Sequence, residues 1–227
     1  MQHNGTDQMS GLKELERVAP AEPCIESAKR RQIVDGARRV FLAQGFDAAS
    51  MGEIARTAGV SKGTLYVYFK SKEELFAAIV ANECRAQAQQ IFDLDPQDHN
   101  VGAVLSRLGI GYVEFLVRPG TIAPFRTVIA IAERMPEIGR QFYETGPALG
   151  IAQLASYLKA QVAAGVLAVE DCDVAAAQFL ESCQAMLFKP VLLNFNTPPD
   201  RSQIEHVVTI AARTFLAAYE AAAPINR

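Results

Sequence analysis

The side chains between Ser61 and Lys72 have the types and spacing needed to contact a nucleic acid. Lysine amines and tyrosine hydroxyls suit phosphate oxygens, and threonine or valine can touch base edges or a thymine methyl. A glycine in the same stretch removes a side chain where a backbone must come close. The predicted DNA-contacting residues are Ser50, Ser61, Lys62, Gly63, Thr64, Tyr66, Val67, Tyr68 and Lys72. The mixture fits a major groove; the alternative is a solvated helix face beside an ordinary core.

Two short helices joined by a tight turn, with a third following at once, must position these side chains. Ser50, Ser61 and Ser71 can each accept a hydrogen bond from the free N–H groups that open a helix, and a glutamate follows in the first turn after Ser50 and Ser71. Gly59 supplies the turn, since glycine takes a positive φ without a Cβ clash. The pattern predicts a helix-turn-helix with Gly59 as its pivot.

The inward face of this unit is apolar at helical spacing. Ile54, Ala55 and Ala58 share one face of the first helix, and Leu65 and Phe69 share one face of the second. The pair can therefore bury a small common core and leave its other face exposed. We predict that this outward face reads double-stranded DNA.

The run from Arg31 to Ile79 resembles the N-terminal domain of the TetR family of transcriptional regulators. The residues that carry the resemblance are Phe41, Gly45 and Phe46 at the end of the first helix, Ile54-Ala55 and Ala58-Gly59-Val60 at the turn, and Gly63-Thr64-Leu65-Tyr66 with Tyr68-Phe69 in the recognition helix. The resemblance implies that the residues matching Lys62, Gly63, Thr64, Tyr66 and Tyr68 lie in or beside the major groove and that Lys72 approaches a phosphate. Met51 and Gly52 depart from the family, which often has a hydroxyl and a polar or basic residue there.

Charge is distributed unevenly along the 227 residues, whose net charge is -3. From Cys24 to Leu75, nine Lys or Arg stand against six Asp or Glu, a net charge of +3, and the remainder holds thirteen against nineteen, a net charge of -6. A mildly basic head on an acidic body suits a site-specific DNA-binding protein. We expect a flexible tail over residues 1-26, a DNA-binding domain over 27-74, and a ligand-binding and dimerisation domain over 75-227.

Beyond the head, the pattern predicts helix after helix, so the fold class is all-α. The expected helices cover residues 71–91 as the connector to the body, then 101–117, 122–134, 137–143, 147–164, 173–188 and 203–222. Ser202 with Glu205 is the expected cap of the last one. The segment 126–190 is also similar to the AefR-like type of C-terminal domain.

The helices 173–189 and 203–222 are apolar around more than one face. Such helices need a second partner besides their own core. We predict that they pair with their copies across a twofold axis, and the resemblance supports this because family members generally dimerise through their last two long helices. A homodimer would place two recognition helices about one DNA turn apart, roughly 34 Å, on a near-palindrome. The alternative is a buried central helix in a monomer.

A ligand pocket is the second expectation for the body. Gly109 and Gly111 interrupt a helical run and usually relieve crowding. The expected lining residues are Tyr112, Phe115, Leu116, Phe125, Ile129, Phe142, Tyr143, Leu154, Tyr157, Phe179 and Cys183, with Gln178, Glu181 and Gln184 as polar groups. Such a pocket suits a mostly apolar small molecule, although each residue alone could be an ordinary core side chain.

The sequence therefore predicts a cytoplasmic, homodimeric DNA-binding regulator, a repressor that releases its operator when an effector binds. The four cysteines and three histidines lack metal-ligand spacing, and no cofactor, membrane partner or signal sequence is expected. An enzyme is the first alternative, but no phosphate loop or dinucleotide glycine motif supports one. A helical ligand-binding module whose head has lost DNA binding is the other, and Lys62, Lys70 and Lys72 argue against it.

Overall fold

The computed structural model describes the backbone of residues 22–221 and the side chains of residues 28–221. The fold is all-α, as predicted, and the described residues contain no β-strand beyond an isolated bridge. The helices are α1 Glu22–Ala48, α2 Met51–Ala58, α3 Lys62–Tyr68, α4 Lys72–Ile91, α5 Val101–Val117, α6 Pro119–Ala132, α7 Pro136–Thr145, α8 Pro147–Ala163, α9 Cys172–Cys183, α10 Phe188–Leu192 and α11 Arg201–Tyr219.

The three predicted serine caps and the glycine turn are confirmed. The hydroxyls of Ser50, Ser61 and Ser71 each accept a hydrogen bond from a first-turn backbone N–H, at 3.2, 3.0 and 3.2 Å. Gly59 ends α2 with φ 67 and ψ 36, in the left-handed region that favours glycine. These local signals fix where α2, α3 and α4 begin and where the turn between α2 and α3 lies.

Several helix boundaries differ from the prediction. Pro119 opens α6 at its first position, where a missing N–H costs no hydrogen bond, so the helix starts earlier than expected. α9 stops at Cys183, and Met186 with φ 63 separates it from α10. Asp200, not Ser202, caps α11 in a reciprocal capping box with Gln203.

The predicted tail falls mostly outside the described residues, which begin at 22. Since α1 starts at Glu22, the backbone of residues 22–26, at the end of the predicted tail, is helical. Gly45, with φ 81 and ψ 170, kinks α1 just before Phe46, which agrees with the expected end of the first helix there.

Two hydrophobic cores are joined by an aromatic cluster. The head core contains Leu65 and Phe69, and a larger core lies between the helices of the body. Between them the ring of Phe76 on α4 lies 5.6 Å from that of Phe41 and 5.0 Å from that of Phe46. Because α4 contributes side chains to the head core, to the aromatic cluster and to the body core, the head and the body are in contact along this helix.

A buried glutamine fixes the loop between α4 and α5 to α8. Gln161 is 0% exposed; its Nε2 donates to the carbonyl oxygen of Pro96 at 2.9 Å, and its Oε1 lies 2.7 Å from His99 Nδ1. The Tyr157 hydroxyl donates to the carbonyl of Asp98 at 2.7 Å, and burial raises the pKa of this phenol to about 12. The end of the connector helix is thus held to the body by side-chain hydrogen bonds.

Replacing Gln161 by leucine is expected to destabilise the protein by about 1–3 kcal/mol, because it leaves buried polar partners unsatisfied. Gln153→Leu on the same helix is the control, since its Oε1 is buried without a hydrogen-bond partner in the described structure. Urea unfolding followed by circular dichroism measures both. Equal stability of the two variants would contradict the role of Gln161.

No single helix in the described part of the chain is long and apolar enough to cross a membrane. The pair α5 and α6, bent by 67°, meets the length and composition criteria only when the two are joined.

Candidate nucleic-acid interface and ligand cavity

α3 buries one face and exposes the other, as a recognition helix must. Leu65 and Phe69 are 0% and 1% exposed in the head core, whereas Tyr66 and Val67 are 51% and 81% exposed. The small apolar core of the head thus holds α3 by its buried face and leaves the opposite face exposed. The predicted contact residues of α3 lie on its exposed side or in its first turn, with one exception: Tyr68, at the end of the helix, is half-buried and packs against the head core.

Two of the predicted contact hydroxyls are engaged within the chain. Ser61 Oγ accepts the Thr64 N–H, and the hydroxyls of Ser61 and Thr64 are 2.8 Å apart. A hydroxyl can both donate and accept, so each retains capacity for a further hydrogen bond. The pair fixes the orientation of Thr64 at the start of α3.

Gly63 is not required by packing inside the chain. A Cβ built at this position would meet no described atom closer than Ser61 Oγ, at 3.8 Å, which is an ordinary contact. Its φ is not positive either, so the backbone does not demand glycine. The space above Gly63 is therefore open on the side that an external partner would approach.

A cavity of about 100 Å³ lies in the body near the predicted pocket. Five of the predicted residues line it: Tyr112, Leu116, Phe125, Phe142 and the polar Glu181. The remaining lining residues are Phe92, Gly146, Pro147, Gly150, Ile151, Ala177 and Leu180. Its walls come from the end of α4 and from α5, α6, α7, α8 and α9, so almost every helix of the body contributes.

The other predicted pocket residues do not line this cavity. Leu154, Tyr157, Phe179 and Cys183 belong to the solid core, where their side chains touch one another or a backbone. Ile129 and Tyr143 are 54% and 56% exposed, and Phe115 lies under the guanidinium of Arg118 at 4.8 Å. For these residues helical spacing identified apolar positions but not which side of the helix the cavity occupies.

The glycines of α5 also lie away from the cavity. A Cβ at Gly109 would come within 2.7 Å of Val208 and 2.9 Å of the Cys183 sulfur, so this glycine relieves crowding between α5, α9 and α11. A Cβ at Gly111 would meet no described atom within 4 Å. Gly109 thus relieves crowding as expected, but neither glycine lines this cavity.

Gly150 was not among the predicted pocket residues. Because it has no side chain, the ring of Phe92 can pack against it in the cavity wall. A Cβ there would lie 2.8 Å from Phe92 Cζ. Phe92 caps the C-terminal end of α4, and its sequence position gave no sign that it turns toward α8. Only the packing of the two helices brings these residues together.

Tyr112 and Glu181 form the polar end of the cavity, and Gln184, which does not line it, contacts both. Gln184 Nε2 donates to the Glu181 carboxylate at 3.1 Å and lies 3.4 Å from the Tyr112 hydroxyl. Burial, and secondarily the charge of Glu181, raises the pKa of the Tyr112 phenol well above its usual value. The phenol is therefore neutral at any physiological pH and remains a hydrogen-bond donor.

The thiols of Cys84 and Cys183 are not activated. Burial raises the pKa of Cys183 to about 12, and burial with the neighbouring Glu83 raises that of Cys84 to about 11. Such thiols are poor nucleophiles at neutral pH. Among the described residues, no group of three His, Cys, Asp or Glu is placed to hold a metal ion.

Comparison with protein-family models gives two matches that together cover most of the described chain. Residues 33–79 match the bacterial regulatory proteins of the tetR family, and residues 103–221 match the AefR-like transcriptional repressor C-terminal domain. The second match alone covers more than half of the chain. The protein belongs to the TetR family of transcriptional regulators. Both resemblances inferred from the sequence are confirmed.

Individual proteins agree with this family. The HTH-type transcriptional repressor Rv1474c of Mycobacterium tuberculosis is 30% identical over 131 residues, which are 56% of this chain and 63% of the relative. Alignments with such curated relatives thus span less than two thirds of their length. A crystal structure of a protein from Mesorhizobium loti assigned to the TetR family has a TM-score of 0.77 and 27% identity, covering 86% of this chain and 98% of the other. The flavonoid-responsive regulator FrrA has a TM-score of 0.71 and 34% identity, covering 87% and 100%.

Lys72 is placed differently from the TetR-based prediction of a phosphate contact. Its amine donates to the carbonyl oxygens of Phe46, Asp47 and Ala49 at 3.0, 3.0 and 3.3 Å, and it lies 4.7 Å from the centre of the Phe46 ring. An ammonium has three N–H donors, so all are used in this arrangement. Lys72 satisfies carbonyls at the end of α1 and joins the first helix of this TetR head to α4.

At Gly52, where the chain departs from the TetR pattern, the side chain of Lys62 occupies the space that a larger residue would need. A Cβ at Gly52 would lie 3.0 Å from Lys62 Cε and 3.2 Å from Lys62 Nζ. The lysine side chain thus extends across the start of α2, over the position where relatives carry a larger residue. The basic group at this part of the head comes from α3 instead of α2.

The two helices predicted to dimerise pack against each other in this TetR body. The rings of Phe179 on α9 and Phe215 on α11 are 5.7 Å apart. Their outward faces keep some apolar surface, with Val174 50% and Ile210 42% exposed, among mostly small or polar side chains. Much of the apolar character seen in the sequence is therefore used inside the subunit, and pairing across a twofold axis stays a prediction.

Proposed function

We propose that this TetR-family regulator is a homodimeric repressor that binds a near-palindromic operator through α3 and releases it when a small molecule occupies the body cavity. The proposal that α3 binds DNA rests on one observation: one face of this segment is buried, at Leu65 and Phe69, and the opposite face is exposed, at Tyr66 and Val67. Lys62, Gly63, Thr64, Tyr66 and Tyr68 are the proposed groove contacts, with Ser50, Ser61 and Val67 beside them. Lys72 is assigned to positioning α4.

The cavity is proposed as the effector site because its apolar wall connects to the head. Phe142 lines the cavity and also packs against the cluster formed by Phe76, Val80 and Val128, which Phe41 and Phe46 of the head join. Cys84 on α4 is within 3.7 Å of the space beside Gly146, another lining residue. A ligand that moves α7 would therefore press on α4 and on the end of α1.

An effector can shift operator affinity only by binding the two arrangements unequally. At about 100 Å³ the cavity is smaller than the 300–1,000 Å³ typical of drug-sized ligands. A larger ligand must displace side chains such as Phe92 or Phe142, which would favour a different arrangement of the body. The relative FrrA is described as flavonoid-responsive, and an aromatic effector suits a cavity with four aromatic rings.

The direct experiment is selection of genomic DNA fragments by the purified protein, followed by addition of cell metabolites to the recovered complexes. A near-palindromic site and release by a metabolite fraction are the expected results. If no fragment is enriched, the proposal is wrong, and the protein is instead a ligand-binding module whose head does not bind DNA. If DNA fragments are enriched but no metabolite fraction releases them, only the proposed effector response is contradicted.

Gly63→Ala is expected to separate DNA binding from stability. The added methyl meets no described atom closer than 3.8 Å, and alanine favours the helix, so stability should stay equal or rise by up to about 1 kcal/mol. Operator affinity should fall roughly tenfold because the methyl enters the space proposed for the DNA backbone. Circular dichroism melting and electrophoretic mobility shift measure the two effects. Unchanged operator affinity would contradict the close approach at Gly63.

A further inference from the structure

The body cavity combines aromatic walls with a single negative charge. Four rings line it, those of Phe92, Tyr112, Phe125 and Phe142. Among the described residues that line it, Glu181 is the only Asp, Glu, Lys, Arg or His. Glu181 is also an exposed residue, so the lining of the cavity reaches the protein surface at this position.

The charge of Glu181 is not neutralised within the described structure. Its carboxylate accepts a hydrogen bond from Gln184, a neutral donor, at 3.1 Å. None of the ion pairs among the described residues includes Glu181, although Glu114 and Glu205 each pair with Arg201. The electrostatic potential at this end of the cavity is therefore negative, which agrees with the raised pKa of the neighbouring Tyr112 phenol.

The size of the cavity limits what can enter it. An apolar cavity of roughly 150 Å³ holds benzene, so about 100 Å³ open at one end accommodates one ring-sized group. Aromatic faces attract cations, and this attraction adds to that of a carboxylate. The same features disfavour a carboxylate or phosphate on the ligand.

We infer that the effector is an amphipathic cation, with an aromatic or compact apolar group inside the cavity and an ammonium or similar cationic centre beside Glu181. This inference rests on the proposed effector site and specifies its chemistry. Phe125 and Phe142 pack edge to face with their ring centroids 5.0 Å apart, so the two rings support each other in the cavity wall. Glu181 selects the charge of the ligand, and the aromatic rings select its apolar part.

The test uses two probes of equal shape, (3-hydroxyphenyl)trimethylammonium and 3-tert-butylphenol, which differ by one positive charge. Ligand-observed NMR titrations of the full chain give the affinity for each. We expect the wild-type protein to bind the cation roughly three- to tenfold more tightly, the range expected when a partly exposed ion pair and a cation–π contact act together. In Glu181→Gln the preference should fall to about one, through weaker binding of the cation alone.

Glu170→Gln is the matched control, since it removes the same charge from an exposed position outside the cavity and should leave the preference unchanged. Circular dichroism confirms that both variants are folded. Equal binding of the two probes by wild type, no binding of the cation, or a preference that survives in Glu181→Gln would each overturn the inference. Because the titrations contain no DNA, this failure is distinct from failure of metabolites to release the operator.

Discussion

Lys62→Ala and Tyr66→Ala should each lower operator affinity by roughly tenfold to a hundredfold, the cost expected for losing 1–3 kcal/mol of contact energy. Both side chains lie on the exposed part of α3, Tyr66 with 51% of its surface accessible, so neither supports the head core. The two variants should differ in their response to salt. A lost phosphate contact at Lys62 makes log affinity depend less steeply on log salt, by about 1 per contact, whereas loss of an uncharged contact such as that of Tyr66 leaves the slope unchanged.

The same chemical changes outside the head provide controls. Lys189→Ala on α10 removes an exposed lysine, and Tyr143→Ala on α7 removes a tyrosine that is 56% exposed. Both should bind the operator within about twofold of wild type. Fluorescence anisotropy at several salt concentrations measures all four variants. If Lys62→Ala and Tyr66→Ala bind like their controls, α3 is not the recognition helix.

The parts of this site that sequence could predict depend on local chemistry. A serine cap, a glycine in the left-handed region and apolar residues at helical spacing each act within one or two turns of helix, so Ser50, Ser61, Ser71 and Gly59 are where the pattern places them. The same local rules separate Leu65 and Phe69 from the exposed residues of α3.

The parts that sequence could not predict depend on contacts between distant elements. Lys72 looks like a free cation in the sequence, and only the folded head shows that carbonyls 23 to 26 positions earlier surround its amine. The pairing of Phe92 with Gly150, and of Gly109 with Val208, likewise needs two helices to be brought together. Aromatic content indicated that a cavity could exist, but helix packing decides which rings face it.

Gly36→Ala should destabilise the head by about 1–3 kcal/mol, because the new methyl has no space. A Cβ at Gly36 would lie 2.5 Å from Ala58 Cβ, 2.7 Å from its Cα and 2.9 Å from its nitrogen, and two of these three atoms belong to the backbone. The end of α2 cannot yield easily, since Gln32 Nε2 donates to the carbonyl of Ala58 at 2.7 Å and Gly59 forms the turn directly after it. α2 must therefore move away from α1 and carry α3 with it.

This displacement gives Gly36→Ala a second expected effect, a loss of operator affinity in a protein whose DNA-contacting side chains are all intact. Gly111→Ala is the control: it makes the same change in helix α5 where no described atom lies within 4 Å, and it should stabilise the body by about 0.5–1 kcal/mol. Urea unfolding by circular dichroism, with hydrogen exchange at the amides of α2, locates the change, and anisotropy measures operator binding. Because one methyl is added to a helical glycine in both variants, helix propensity predicts stabilisation in each. Opposite signs would show that contact between α1 and α2 overrides propensity at Gly36, and stabilisation of both would show that α2 can move without cost.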